Sequence, residues 1–277
     1  MQSSQRTFNF ALALSAALLP FAASAQDTAR ITSFSQVAIG EPALDPAAGP
    51  SVVVMDNITA NQTAGTGIVS TSSTPNTFMG DAYVLTPGTT AISGFDLYPV
   101  NATATTYTGL RITVYVWGGV NTGTVSAGSP AFSNLLGSYT ATVTNTFTAG
   151  FYYPIESLNP GIDPGFALTT PLAIPSTTIG ITVNVQGTTN GTTFANASNL
   201  TSIITYGQTP AVGSNLFNGY YRNANSEVNG NFTSTLRSLG QTNQSVALRI
   251  YSPVPEAGTW LMMGLGLAAL ALRRRLA

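Results

Sequence analysis

The chain has 277 residues, of which nine are basic and ten acidic, and it contains no histidine, no cysteine and no lysine. These absences exclude Ser-His-Asp, Cys-His and Ser-Lys catalysis, Schiff-base chemistry, disulfides, and the zinc, copper and haem centres built on His or Cys. Only 7% of residues are charged, against about 25% in an ordinary soluble domain, so Thr, Ser, Asn and Gly must supply the solvated surface. Those residues favour strands and turns over helices.

Met1 to Ala25 reads as a secretory signal peptide: Arg6, an apolar stretch from Phe8 to Phe21, and Ala23-Ser24-Ala25 as an A-x-A cleavage site. The mature chain is then expected to start at Gln26. From Gln26 to Pro255 five arginines stand against nine acids. A mildly acidic, lysine-free domain is a poor nucleic-acid binder, because phosphate contacts need clustered cations.

The expected elements follow in order. Ile31 to Ile39 and Ser51 to Ile58 read as strands, and Phe78 to Leu85 as a third, closed by the turn Thr86-Pro87-Gly88. Ile92 to Tyr98 is another. In the next, Leu110, Ile112, Val114 and Val116 alternate with Arg111, Thr113, Tyr115 and Trp117, so one face is buried and the other polar or aromatic. Leu135, Gly137, Tyr139, Ala141 and Val143 are expected to share one face. Phe151 to Ile155 is a short strand, and Phe166 to Leu168 leads into Pro171. Ile179, Ile181, Val183 and Val185 alternate with Gly180, Thr182, Asn184 and Gln186. Gly187 to Leu200 reads as loop, Ser202 to Tyr206 as a strand, and Pro210 to Gly240 as irregular. In the last strand Val246, Leu248 and Ile250 face inward, with Arg249 and Tyr251 outward. No amphipathic helix appears. The expected fold is all-β: one β-sandwich of jelly-roll type over residues 26–252, with a signal peptide before it and a tail, 253–277, carrying a single transmembrane helix after it.

The tail has three parts. Val254-Pro255-Glu256 comes first. An uncharged run from Ala257 to Leu272 follows, with Trp260 near its start as an interfacial aromatic, and then Arg273, Arg274 and Arg275. Sixteen residues at about 1.5 Å each give roughly 24 Å, against a hydrocarbon core of about 30 Å. The arginines hold their end cytoplasmic, which places the preceding domain across the membrane. At these residues the tail resembles the PEP-CTERM sorting signal of Gram-negative bacteria, with Ala257 where that signal has its second proline. The resemblance implies handling by an exosortase, anchoring in the inner membrane until cleavage near Pro255-Glu256, an association with exopolysaccharide-producing cells, and a final place at the cell surface or outside it. A plain C-terminal membrane anchor is the alternative.

Within the domain no catalytic set emerges. Asp56, Asp81, Asp96, Glu156, Asp163 and Glu227 are the acids that could serve a carboxylate-based glycan hydrolase, but no spacing pairs them, and they read as solvated or turn acids. No cofactor is expected; calcium on Asp96 and Asp163 is the one metal considered. Tyr115 and Trp117, on the non-aliphatic face of their strand, are the candidate glycan contacts. The expectation is a non-enzymatic surface or matrix protein. A carbohydrate-binding module comes second and a hydrolase third.

Overall fold

A computed structural model describes residues 27–31, 37–38, 51–58, 66–67, 78–121, 130–156, 164–205, 209–217, 219–223, 232–233, 236–237 and 243–254. Ala23, Ala25, Asp163, Glu227, Pro255, Glu256, Trp260 and Arg273 to Arg275 lie outside the described residues, and with them the signal-peptide and tail readings.

Every regular element among the described residues is a strand. The ten that form the two main layers are β1 (Asp27–Ile31), β2 (Val52–Asp56), β3 (Phe78–Val84), β4 (Ala91–Leu97), β5 (Tyr107–Val120), β6 (Pro130–Phe147), β7 (Phe166–Ala173), β8 (Thr178–Thr188), β9 (Tyr220–Asn223) and β10 (Leu248–Ser252). The front layer runs β9-β3-β8-β5-β6 and the back layer β7-β4-β10-β2, with every neighbour antiparallel. β1 joins the two. Asp27 and Thr28 pair in parallel with Tyr139 and Thr140 of β6, and Ala29 to Ile31 pair antiparallel with β7.

Period-2 alternation explains why the layers face each other. Leu110, Ile112, Val114 and Val116 of β5, and Ile179, Ile181, Val183 and Val185 of β8, meet Phe95 and Leu97 of β4, Phe166 and Leu168 of β7, and Leu248 and Ile250 of β10 in one core. Each such side chain taken out of water contributes roughly 1.5–3 kcal/mol. The arrangement is that of a β-sandwich. A smaller four-stranded sheet, in the order Leu200–Ser202, Pro99–Asn101, Phe151–Tyr152, Val37–Ala38, lies beside it, with Tyr98, Val100, Tyr152 and Ile203 in an apolar cluster of their own.

Four local expectations change. The first expected strand is instead two, Asp27–Ile31 and Val37–Ala38. Leu135 does not share a face with Tyr139. Val116 pairs with Gly137 but Trp117 with Leu135, so Leu136 bulges out of register. Leu136 then packs on the core and Leu135 on the opposite face. Asn134 just before it takes a φ of 54°, which Asn tolerates better than most residues. β7 runs through Pro171, where the ladder to β4 shifts between Ala167 and Leu172; the missing N–H falls in that gap. The stretch read as irregular contains β9, which pairs with β3.

Two glycines of β8 leave room for rings from β6 and β5. A Cβ on Gly180 would lie 2.3 Å from the Phe132 ring, and one on Gly187 2.4 Å from the Tyr107 ring. Gly180→Val should therefore cost about 1–3 kcal/mol through overpacking, read as a lowered urea midpoint at unchanged slope.

Candidate functional site

β10 is the centre of the back layer, and alternation puts Leu248 and Ile250 in the core and Arg249 and Tyr251 on the other face. That face is not solvent. Arg249 is 2% exposed. In register it stands opposite Asp96 of β4 on one side and Asp56 of β2 on the other. Its Nε donates to Asp56 Oδ2 at 2.8 Å and its Nη1 to Asp96 Oδ2 at 3.3 Å, with Glu156 Oε2 3.8 Å from Nη1. The Tyr251 hydroxyl and the Gly165 N–H donate to Asp96, the Tyr98 hydroxyl to Glu156, and the Ile58 N–H to Asp56. Burial pushes the Asp96 carboxyl above its usual range, against the hydrogen bonds from Tyr251 and Gly165 and the charge of Arg249.

Asn57 closes the start of the same strand. Its side-chain amide donates to the Val246 carbonyl at 2.8 Å and accepts from the Leu248 N–H at 3.0 Å.

A further acid lies among the inward-facing positions of β3. Asp81 is fully buried and accepts from the Ser245 hydroxyl at 2.6 Å and the Ala82 N–H at 2.7 Å. Among the residues whose side chains are described it has no cationic partner. Burial raises its pKa well above the usual value, more than those two bonds lower it. The nearby Tyr221 phenol is pushed up to about 12, by burial and then by Asp81.

The acids are thus not the solvated groups expected. Asp56, Asp81, Asp96 and Glu156 are all buried, and Arg249 and Tyr251 point away from the core into protein rather than water. The alternation was legible; the strand order that brings two aspartates beside one arginine was not. For calcium, Asp96 commits Oδ1 to Gly165 and Oδ2 to Arg249 and Tyr251. No group of three or more potential metal ligands occurs among the described residues.

Tyr115 and Trp117 do lie on the face opposite the aliphatic core, yet they are 7% and 1% exposed. They join Phe78, Phe132 and Tyr221 in a second cluster, with Leu135, Leu216 and Phe217 packed against it. Tyr115 and Trp117 stack at 6.4 Å between ring centroids, Trp117 and Phe132 also at 6.4 Å, and Phe132 meets Tyr221 edge-on at 5.2 Å. The Trp117 indole N–H donates to Thr182 Oγ1 at 3.0 Å. Both rings are covered, so neither offers an open platform to a sugar.

The tail leaves from the end of β10. Ser252 pairs with Val52 of β2, and the chain then passes through half-buried Pro253 to Val254. Val52 and Val254 are 50% and 44% exposed and are the exposed large hydrophobic residues of the described surface.

Two outcomes follow for the buried charges. Arg249→Met leaves the carboxylates of Asp56 and Asp96 without their cation and should cost about 3–5 kcal/mol, measured by urea titration. For Asp81, a folded pKa above the unfolded value means that stability is fullest below about pH 4 and declines as the pH rises through the folded pKa. Asp81→Asn removes that decline, so its stability relative to the parent should be higher at pH 7 than at pH 4. An equal difference at both pH values would show that Asp81 does not titrate abnormally.

No curated protein and no solved structure matches the chain. Residues 253–275 match a family model described as the PEP-CTERM protein-sorting motif. The match begins at the residue after β10 ends. The motif supports an exported protein directed to an exosortase, and the C-terminal tail of this chain carries that PEP-CTERM sorting motif.

Proposed function

We propose that the chain is an exported, non-enzymatic protein of the cell surface or extracellular matrix. The body crosses the inner membrane behind the signal peptide, and the run from Ala257 to Leu272 holds it there. An exosortase cuts near Pro255-Glu256, and the body remains at the surface or enters the polymer matrix of an exopolysaccharide-producing cell. The observation that carries this reading is the boundary: β10 ends at Ser252 and the sorting motif begins at Pro253. The motif is an appendage to a body whose last strand is already seated between β4 and β2.

The strand order supports the jelly-roll form of the sandwich. From β2 to β8 the chain visits back, front, back, front, front, back and front layers, and β10 returns to the back. The eight strands interleave as β2-β10-β4-β7 and β3-β8-β5-β6, the double-sheet arrangement of that architecture. The interior position of Asp56, Asp81, Asp96 and Glu156 supports a non-enzymatic role for these acids. Glycan contact through Tyr115 and Trp117 is not part of the proposal, since both are built into packing.

The test is the intact mass of the protein from its native host, by cell fraction. A species starting at Gln26 and ending close to Pro255 is expected at the surface or in the medium. Replacing Arg273 to Arg275 with serine should shift the protein out of that fraction. Identical distribution of the two forms, or a mass retaining Trp260 to Ala277 in every fraction, overturns the sorting role.

A further inference from the structure

The end of the sandwich from which the tail leaves differs from the rest of the described surface. It carries Val52 and Val254, the exposed large hydrophobic residues of the described surface, which the pairing of Val52 with Ser252 sets at the same end. Around them are the turns Thr86 to Thr90 and Ile174 to Thr177, which contain no charged residue. These turns are held at this end by Thr86 N–H to Val54 carbonyl, Leu85 N–H to Thr177 carbonyl and Ile174 N–H to Thr90 carbonyl bonds. Half-buried Arg111 pairs with Gln186 toward the opposite end of β8.

Chain length then limits how far this end can stand from the bilayer. Ala257, where the apolar run starts, is five residues beyond Ser252, a reach of at most about 18 Å when fully extended. The headgroup layer takes up about 5–8 Å of that. The run itself is roughly 6 Å shorter than the hydrocarbon core. A short span is accommodated by thinning the bilayer and drawing the flanking residues inward. With the arginines on the cytoplasmic side, that shortens the distance between the body and the bilayer on the other.

From this we infer that, before processing, the body stands on the outer leaflet of the membrane on its tail-exit end, with Val52 and Val254 at headgroup level. The occupant of this surface is the lipid interface itself. The contact is apolar and hydroxyl-rich rather than ionic, so it does not select anionic lipid. The inference rests on the reading of the tail as a membrane anchor, and the experiment separates the two.

The chain has no cysteine, so single-cysteine labelling needs no background removal. Full-length protein is reconstituted into phosphatidylcholine vesicles carrying a headgroup nitroxide lipid. A fluorophore is placed at Val52→Cys or at Ala104→Cys, an exposed loop position at the opposite end. The expected result is loss of fluorescence at position 52 and none at position 104, unchanged by added phosphatidylglycerol or by salt. Equal quenching at the two positions in protein that co-floats with vesicles overturns the orientation and leaves the anchor standing. Quenching at position 52 that appears only with phosphatidylglycerol overturns the neutral contact. Protein that fails to co-float overturns the anchor reading, and the orientation with it.

Discussion

The back layer depends on one guanidinium. Arg249 lies on the central strand with an aspartate on each neighbouring strand, and all three are buried. A buried ion pair is weak evidence of net stabilisation, because desolvation offsets much of the attraction. What it controls here is register. Side chains in a strand alternate with period 2, so slipping β10 by one residue would drive Arg249 into the aliphatic core and lift Ile250 into the carboxylates. Either error strands a charge. Asn57 adds a second lock by bonding to Val246 and Leu248 at the head of the same strand. The polar network therefore makes one alignment of the last strand far better than its alternatives.

The same network changes what the surface can be. In a chain with 7% charged residues, solubility alone calls for every charge at the surface. Instead Asp56, Asp81, Asp96, Glu156 and Arg249 are interior. The outer face of the front layer is served by neutral or singly charged pairs. Thr113 bonds Thr140 at 2.8 Å, Asn184 bonds Asn196 at 2.9 Å, and Arg111 bonds Gln186 at 2.9 Å while lying over the Phe194 ring. Hydroxyls and amides solvate well without long-range fields, so such a surface is little affected by ionic strength. That property suits a protein proposed to live among polymers outside the cell.

How much was legible follows from which forces are local. The strands around Ile112 and Ile181 stand where alternation put them, because burial of one face is written in the sequence with period 2. Pro87 and Gly88 mark the expected turn, with Gly88 at a φ of 86°. The bulge at Leu136 could not be read, since an extra residue leaves the composition unchanged and only shifts which neighbour faces inward. The fate of the acids was equally hidden. Asp96 alternates with Phe95 and Leu97, which places it off the core face. Whether that face meets water depends on Tyr98, Glu156 and Gly165 arriving from elsewhere in the chain. The tail was legible almost entirely, because its signal is linear: a box, an apolar run and a cluster of arginines need no fold to be recognised.

On the proposed reading, fold and tail constrain each other in time. Residues 245–252 are the last part of the body to cross the membrane, yet β10 sits between β4 and β2 rather than at an edge. Until it arrives, the back layer lacks its centre and Asp56 and Asp96 lack their cation. The apolar run follows within five residues, so the strand becomes available for pairing at about the moment the chain is arrested in the bilayer. Closure of the sandwich then occurs with its exit end beside the membrane. A protease needs an extended substrate, and residues paired in a central strand are not extended into a foreign cleft without breaking the ladder. The seated strand therefore protects Leu248 to Ser252, so that on this reading cleavage falls beyond it. The coincidence between the end of β10 and the start of the motif is what such a division of labour requires.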